Sequence, residues 1–145
     1  MLKVVRKNFR LILAGTLGIC IMASGNFVEA SNDNYSFGEP IKPYHSNSYT
    51  SERWRQTTHT NNPWKVNLKE SDEGKGTITT FWIANTMYNS IPLASKTYNV
   101  KQGSGNHYYN ANKKGNEAYV TLGMENNNYS PNWYYVKGVW DEETW

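Results

Sequence analysis

The chain has 145 residues, with fifteen Lys or Arg, twelve Asp or Glu, a formal net charge of +3 at pH 7 and one cysteine, Cys20. A lone cysteine excludes an internal disulfide scaffold and a cysteine-ligated zinc site. The excess positive charge sits near the start, so no basic stripe is left further on to neutralise nucleic-acid phosphates, and nucleic acid is rejected as a partner.

The first element in chain order is a leader. "MLKVVRKNFR" supplies Lys3, Arg6, Lys7 and Arg10, the apolar run "LILAGTLGICIMA" follows, and "SGNFVEA" sets Val28 and Ala30 in the pattern of a signal-peptidase site. Cleavage is expected between Ala30 and Ser31, giving residues 1–30 as a removed signal peptide and 31–145 as one secreted, extracellular all-β domain. The apolar run is shorter than the ~20 residues of a membrane span, so no transmembrane segment is expected after cleavage. Bulky Ile19 stands before Cys20 where a lipoprotein signal needs a small residue, which argues against a lipid anchor. The leader carries four bases and one acid, Glu29, so eleven of each remain and the exported chain is neutral. It is also free of cysteine, and it holds all six Trp and all eleven Tyr.

Past the leader, short stretches alternate in hydrophobicity between clusters of Gly, Asn and Ser, the pattern of antiparallel strands. "PWKVNLK" puts Trp64, Val66 and Leu68 on one face, opposite Lys65, Asn67 and Lys69. "ESDEGKG" reads as a polar hairpin loop, and "GTITTFWIA", apolar on both sides at Phe81, Trp82 and Ile83, as a central strand covered on two faces. "SIPLASKTYNV" predicts a further strand, limited by Pro92 to an edge or a bulge. "KQGSGN" and "NKKGN" are turns flanking Tyr108 and Tyr109. "EAYVTLGME" sets Ala118, Val120, Leu122 and Met124 against Tyr119, Thr121, Gly123 and Glu125. After the loop "ENNNYSPN", the stretch "NWYYVKGVW" turns Tyr134, Val136, Gly138 and Trp140 inward if Lys137 faces solvent. "DEETW" reads as a solvated tail. No helix is expected. Seven or eight strands on this spacing predict a small antiparallel β-sandwich or flattened barrel.

That register leaves Trp133, Tyr135 and Tyr119 outside the core, and one of Tyr108 and Tyr109 must join them; we assign Tyr109. These four residues are the candidate binding residues, because exposed Trp and Tyr form stacking surfaces for sugar rings, wall polymer or a partner protein. No catalytic residue is proposed, so no enzyme is expected. His45, His59 and His107 lack the spacing of metal ligands, and no metal or other cofactor is expected. Glu117 and Glu125 share a strand face but lie about 26 Å apart at ~3.3 Å per residue, far beyond the ~5–9.5 Å of a glycosidase pair. Glu70, Asp72 and Glu73 do not match a calcium loop.

The segments "YSFGEPIKPYHSNSYTSERWRQTTHTNNPWKVNL", "GTITTFWIA", "VKQGSGNHYYNA", "TLGMENNNYS" and "VKGVWDEET" together resemble a family of small secreted proteins of Gram-positive bacteria, a domain of unknown function. The likeness spans nearly all of 31–145 and implies no site residues. In general style, the chain is similar in type to lactococcin-972-like bacteriocins, which are small, secreted, cysteine-free and rich in Trp, Tyr and Asn. The expectation is therefore a secreted non-enzymatic β-sandwich that binds cell-wall glycan or another envelope component, as a bacteriocin-like antagonist. The alternatives are a self-associating matrix protein and a stand-alone carbohydrate-binding module.

Overall fold

A computed structural model describes residues 32–144; the leader, Cys20, the expected cleavage site at Ala30 and Ser31, and Trp145 lie outside it. The described chain is a β-sandwich of nine strands and one short 3-10 turn. In order these are β1 (Tyr35–Ile41), β2 (Ser48–Tyr49), β3 (Arg53–Arg55), β4 (Trp64–Ser71), β5 (Ile78–Asn85), β6 (Tyr98–Lys101), β7 (His107–Tyr109), the turn Lys113–Gly115, β8 (Ala118–Asn126) and β9 (Tyr134–Asp141). One sheet runs β1-β9-β4-β7; the other runs β2-β8-β5-β6, with β3 also on β8. Every pairing is antiparallel.

The alternation read from the sequence is the alternation of burial. Trp64, Val66 and Leu68 of β4, Phe81 and Ile83 of β5, and Val120, Leu122 and Met124 of β8 are fully buried in one core cluster shared by both sheets. Tyr134, Val136 and Trp140 of β9 join it, so the inward register expected for the last strand holds. β5 lies in mid-sheet between β8 and β6, as its two-sided apolar pattern requires. The face of β8 opposite the core is covered more than its alternation implied, since Thr121 and Gly123 are buried and only Tyr119 is exposed.

The connections differ from expectation. "ESDEGKG" does not close a hairpin; it carries the chain from β4 in one sheet to β5 in the other. Six of the eight links between successive strands change sheet in this way, and only β2 to β3 and β5 to β6 stay within one. Local pattern says which side of a strand is buried but not which sheet the next strand enters. The strand expected across "SIPLASKTYNV" shrinks to the edge strand β6, preceded by single bridges Ala84↔Leu93 and Ser95↔Ala111. Pro92 has no N–H to give a ladder, yet its carbonyl accepts from the Asn85 N–H at 2.9 Å.

At β4 the register slips between Leu68 and Glu70. This bulge turns Glu70 from the core side to the outside, where its carboxylate meets Lys137 of β9 at 3.4 Å.

Candidate functional site

The two outer faces of the sandwich point in opposite directions, and they separate the aromatics expected to act together. Trp133 and Tyr135 lie at the start of β9 on the outside of the first sheet, 63% and 44% exposed, with ring centroids 5.5 Å apart and nearly perpendicular. Tyr119 is on the outside of the second sheet. It faces Trp54, its register partner on β3, with centroids 5.0 Å apart in an edge-to-face pair. No single ligand surface can use Tyr119 together with Trp133 and Tyr135.

Tyr109 needs correction. Tyr108 is the exposed member of its pair; Tyr109 points inward from β7 opposite Trp64, stacks on Tyr98 at 3.8 Å and packs against the core. Burial pushes its hydroxyl above the usual tyrosine range, with Tyr98 adding to the effect. A three-residue edge strand carries too little pattern to tell the two tyrosines apart.

What the sequence reading missed lies in two loops beside Trp133 and Tyr135. The β1–β2 loop turns through Tyr44 and His45, both left-handed at φ 57° and 56°. The Tyr44 N–H donates to the Ser130 carbonyl at 2.9 Å, and the His45 ring meets the Asn126 carbonyl at 2.9 Å through Nδ1. These bonds pin that loop to the β8–β9 loop and bring Tyr44 within 5.2 Å of Tyr129, ring to ring. Tyr44 and Tyr129 are 53% and 72% exposed. Because Ile41 and Pro40 pair with Tyr134 and Tyr135, all four rings belong to the same end of the sandwich.

The opposite end is ionic. The residues expected as a solvated tail are buried: Asp141, Glu142, Glu143 and Thr144 fold back as a strap over the sandwich end. Arg55, fully buried, organises it. Its Nε donates to the Glu142 carbonyl at 2.9 Å and Nη1 to the Gly115 carbonyl at 3.2 Å, while Nη2 reaches the carbonyls of His59 and Asn62. The Glu143 carboxylate accepts from the backbone N–H groups of Gln56 and Thr57 at 3.1 and 2.9 Å. Thr144 returns its N–H and its hydroxyl to the Pro63 carbonyl.

Two further pairs complete the cluster. Lys65, expected on the solvent side of β4, is buried against Asp141 with Nζ 3.4 Å from Oδ2. Arg53 stands 3.5 Å from Glu142, too poorly aligned to hydrogen-bond, and lies over the Tyr35 ring. Burial dominates the titration of both acids: Asp141 is raised to about 6 and Glu142 to about 7, against the pull of Lys65 and Arg53. Acids at a chain end read as solvated because their partners, Arg53, Arg55 and Lys65, are more than seventy positions away.

The histidines are dispersed: His45 at the aromatic end, His59 in the loop under Arg55 and His107 on β7 against Ser104. Among the described residues no group of three His, Cys, Asp or Glu is placed to hold a metal ion, and no helix is long and apolar enough to cross a membrane. A family described as protein of unknown function (DUF2712) matches residues 24–144. Comparison with curated proteins finds no match, and comparison with solved structures finds none.

Proposed function

The chain belongs to the DUF2712 family of proteins of unknown function, and we propose that it is a secreted, non-enzymatic protein that binds the Gram-positive cell envelope through its aromatic end, as a bacteriocin-like antagonist. The observation that carries this reading is the grouping of Tyr44, Tyr129, Trp133 and Tyr135, all exposed, at one end of the sandwich. Scattered exposed rings are ordinary on a protein surface, whereas a group of four marks a contact surface. Tyrosine and tryptophan suit a wet polymer such as wall glycan, since each offers an apolar face and a polar edge.

The test has two parts. Protein collected from culture medium should begin at Ser31, and its retention inside cells would overturn secretion. The same protein should bind washed Gram-positive walls saturably and inhibit growth, and Trp133→Ser combined with Tyr135→Ser should abolish both. Binding without inhibition would remove the antagonist role and leave adhesion. A self-associating role is favoured by β1, a seven-residue strand paired on one side only within its sheet; sedimentation that speeds up with concentration would support it.

A further inference from the structure

The ionic end of the sandwich holds a groove that the aromatic end does not share. It encloses about 860 Å³, within the ~300–1,000 Å³ of clefts that take small ligands. Tyr135 and Asp141 are six residues apart on β9, so the groove lies roughly 20 Å from the aromatic rings at ~3.3 Å per residue. Its walls include Tyr108, Lys65, His59 and Asn61.

Three features of these walls define a ligand. The first is the Tyr108 ring, 54% exposed on the outside of β7 and directly across from Lys65 of β4. It offers a flat apolar face beside polar groups. The second is a set of unused hydrogen-bonding groups: the His59 imidazole, the Asn61 amide and the Tyr108 hydroxyl bond to no other described residue. The third is charge. Among the described residues no carboxylate lines the groove, and Lys65, their one ammonium there, is already matched by Asp141 at 3.4 Å.

The loop bearing His59 and Asn61 is held from beneath. Arg55 grips the carbonyls of His59 and Asn62, Asn62 reaches Glu143, and Thr144 bonds the carbonyl of Pro63. Such support fixes the loop backbone in advance and lowers the ordering cost of binding. A phosphate would need an unmatched cation, a cationic ligand would need an acid, and an apolar peptide would need apolar walls. A ring bearing hydroxyls on its edge and C–H groups on its face needs what is present, one aromatic plane and several neutral donors and acceptors.

We propose that this groove binds an uncharged saccharide, with Tyr108 as the stacking face and Asn61 and His59 hydrogen-bonding its hydroxyl or amide groups. The site is separate from the envelope-binding end, so each can be lost without the other.

The test is a titration of the full-length protein with chitotriose and with cellotriose, followed by amide NMR shifts and calorimetry. Saturable binding of at least one is expected, with shifts at residues 59–65, 108 and 144. Tyr108→Ala combined with Asn61→Ala should weaken it by about tenfold or more, equivalent to about 1.4 kcal/mol. Trp133→Ser with Tyr135→Ser should leave it within about twofold, and the groove variant should still bind walls, which also shows that it is folded. No saturable binding of either sugar up to about 10 mM, which is weaker than the 1 mM reference at −4.1 kcal/mol, would overturn the proposal. So would shifts that map to the aromatic end, or tighter binding of a galacturonic acid trimer than of both neutral sugars.

Discussion

The indole of Trp82 occupies the space that a side chain at Gly123 would need, for a Cβ there would stand 2.3 Å from the ring. Gly123 of β8 is the register partner of Trp82 on β5 and of Tyr49 on β2, and the two rings meet edge to face above it at 6.2 Å. The glycine is the seat that lets a tryptophan lie buried on the outside of a sheet.

Gly123→Ala should therefore destabilise the protein by about 1–3 kcal/mol, the cost of overpacking a filled site. Gly38→Ala is the control, because a Cβ there meets only the Lys137 side chain at an ordinary 3.8 Å. Urea midpoints of the two variants should separate, the second staying near the parent; equal losses would mean that the Trp82 contact is not what the glycine serves.

Arg55 ties four carbonyls from three parts of the chain. Arg55→Ala should cost about 3 kcal/mol or more, since it leaves several buried carbonyls without their donor at about 1–3 kcal/mol each. Arg55→Lys should recover only part of this loss, because an ammonium lacks the guanidinium fork. Thermal unfolding followed by tryptophan fluorescence reads both.

Stability should rise on mild acidification. Asp141 and Glu142 are raised to about 6 and about 7 from ordinary values of 3.8 and 4.5. Between those limits the folded chain holds more protons than the unfolded chain, so stability falls as pH climbs from about 4 to about 7. The urea midpoint at pH 5 should exceed that at pH 7.5, and Asp141→Asn with Glu142→Gln should flatten the difference. A midpoint that drops on acidification would contradict the burial of these acids.

The neighbouring tyrosines of β7 should behave oppositely. Tyr109→Ala opens a space between Tyr98 and Trp64 and should cost about 2–3 kcal/mol. Tyr108→Ala, on the exposed side, should stay within ~0.5 kcal/mol of the parent.

These residues also mark where the sequence was legible. Alternation in β4, β8 and β9 was strong enough to orient Trp64, Leu122 and Tyr134 correctly, because burial on one face imposes a period of two. It also separated Trp133 and Tyr135 from the core. It was silent on the strand YSFGEPI, where Gly38 and Pro40 obscure an inward Phe37 and Ile41. It did not separate Tyr119 from Trp133 in space, since outward is a local direction and the two sheets face opposite ways. The strap of Asp141 to Thr144 was illegible for another reason: a carboxylate enters a protein interior only when distant partners await it, and nothing local announces them.

The order in which strands join has a kinetic consequence. β1, the first strand, pairs in its sheet with β9, the last, and six links change sheet between them. No fragment that stops short of β9 contains a finished sheet of the first kind, so the emerging chain cannot complete that sheet until Tyr134–Asp141 is free. Folding dominated by such distant pairings takes on the order of milliseconds to seconds. During that interval the polypeptide stays open, and the arrival of β9 between β1 and β4 is the event that commits it to its shape.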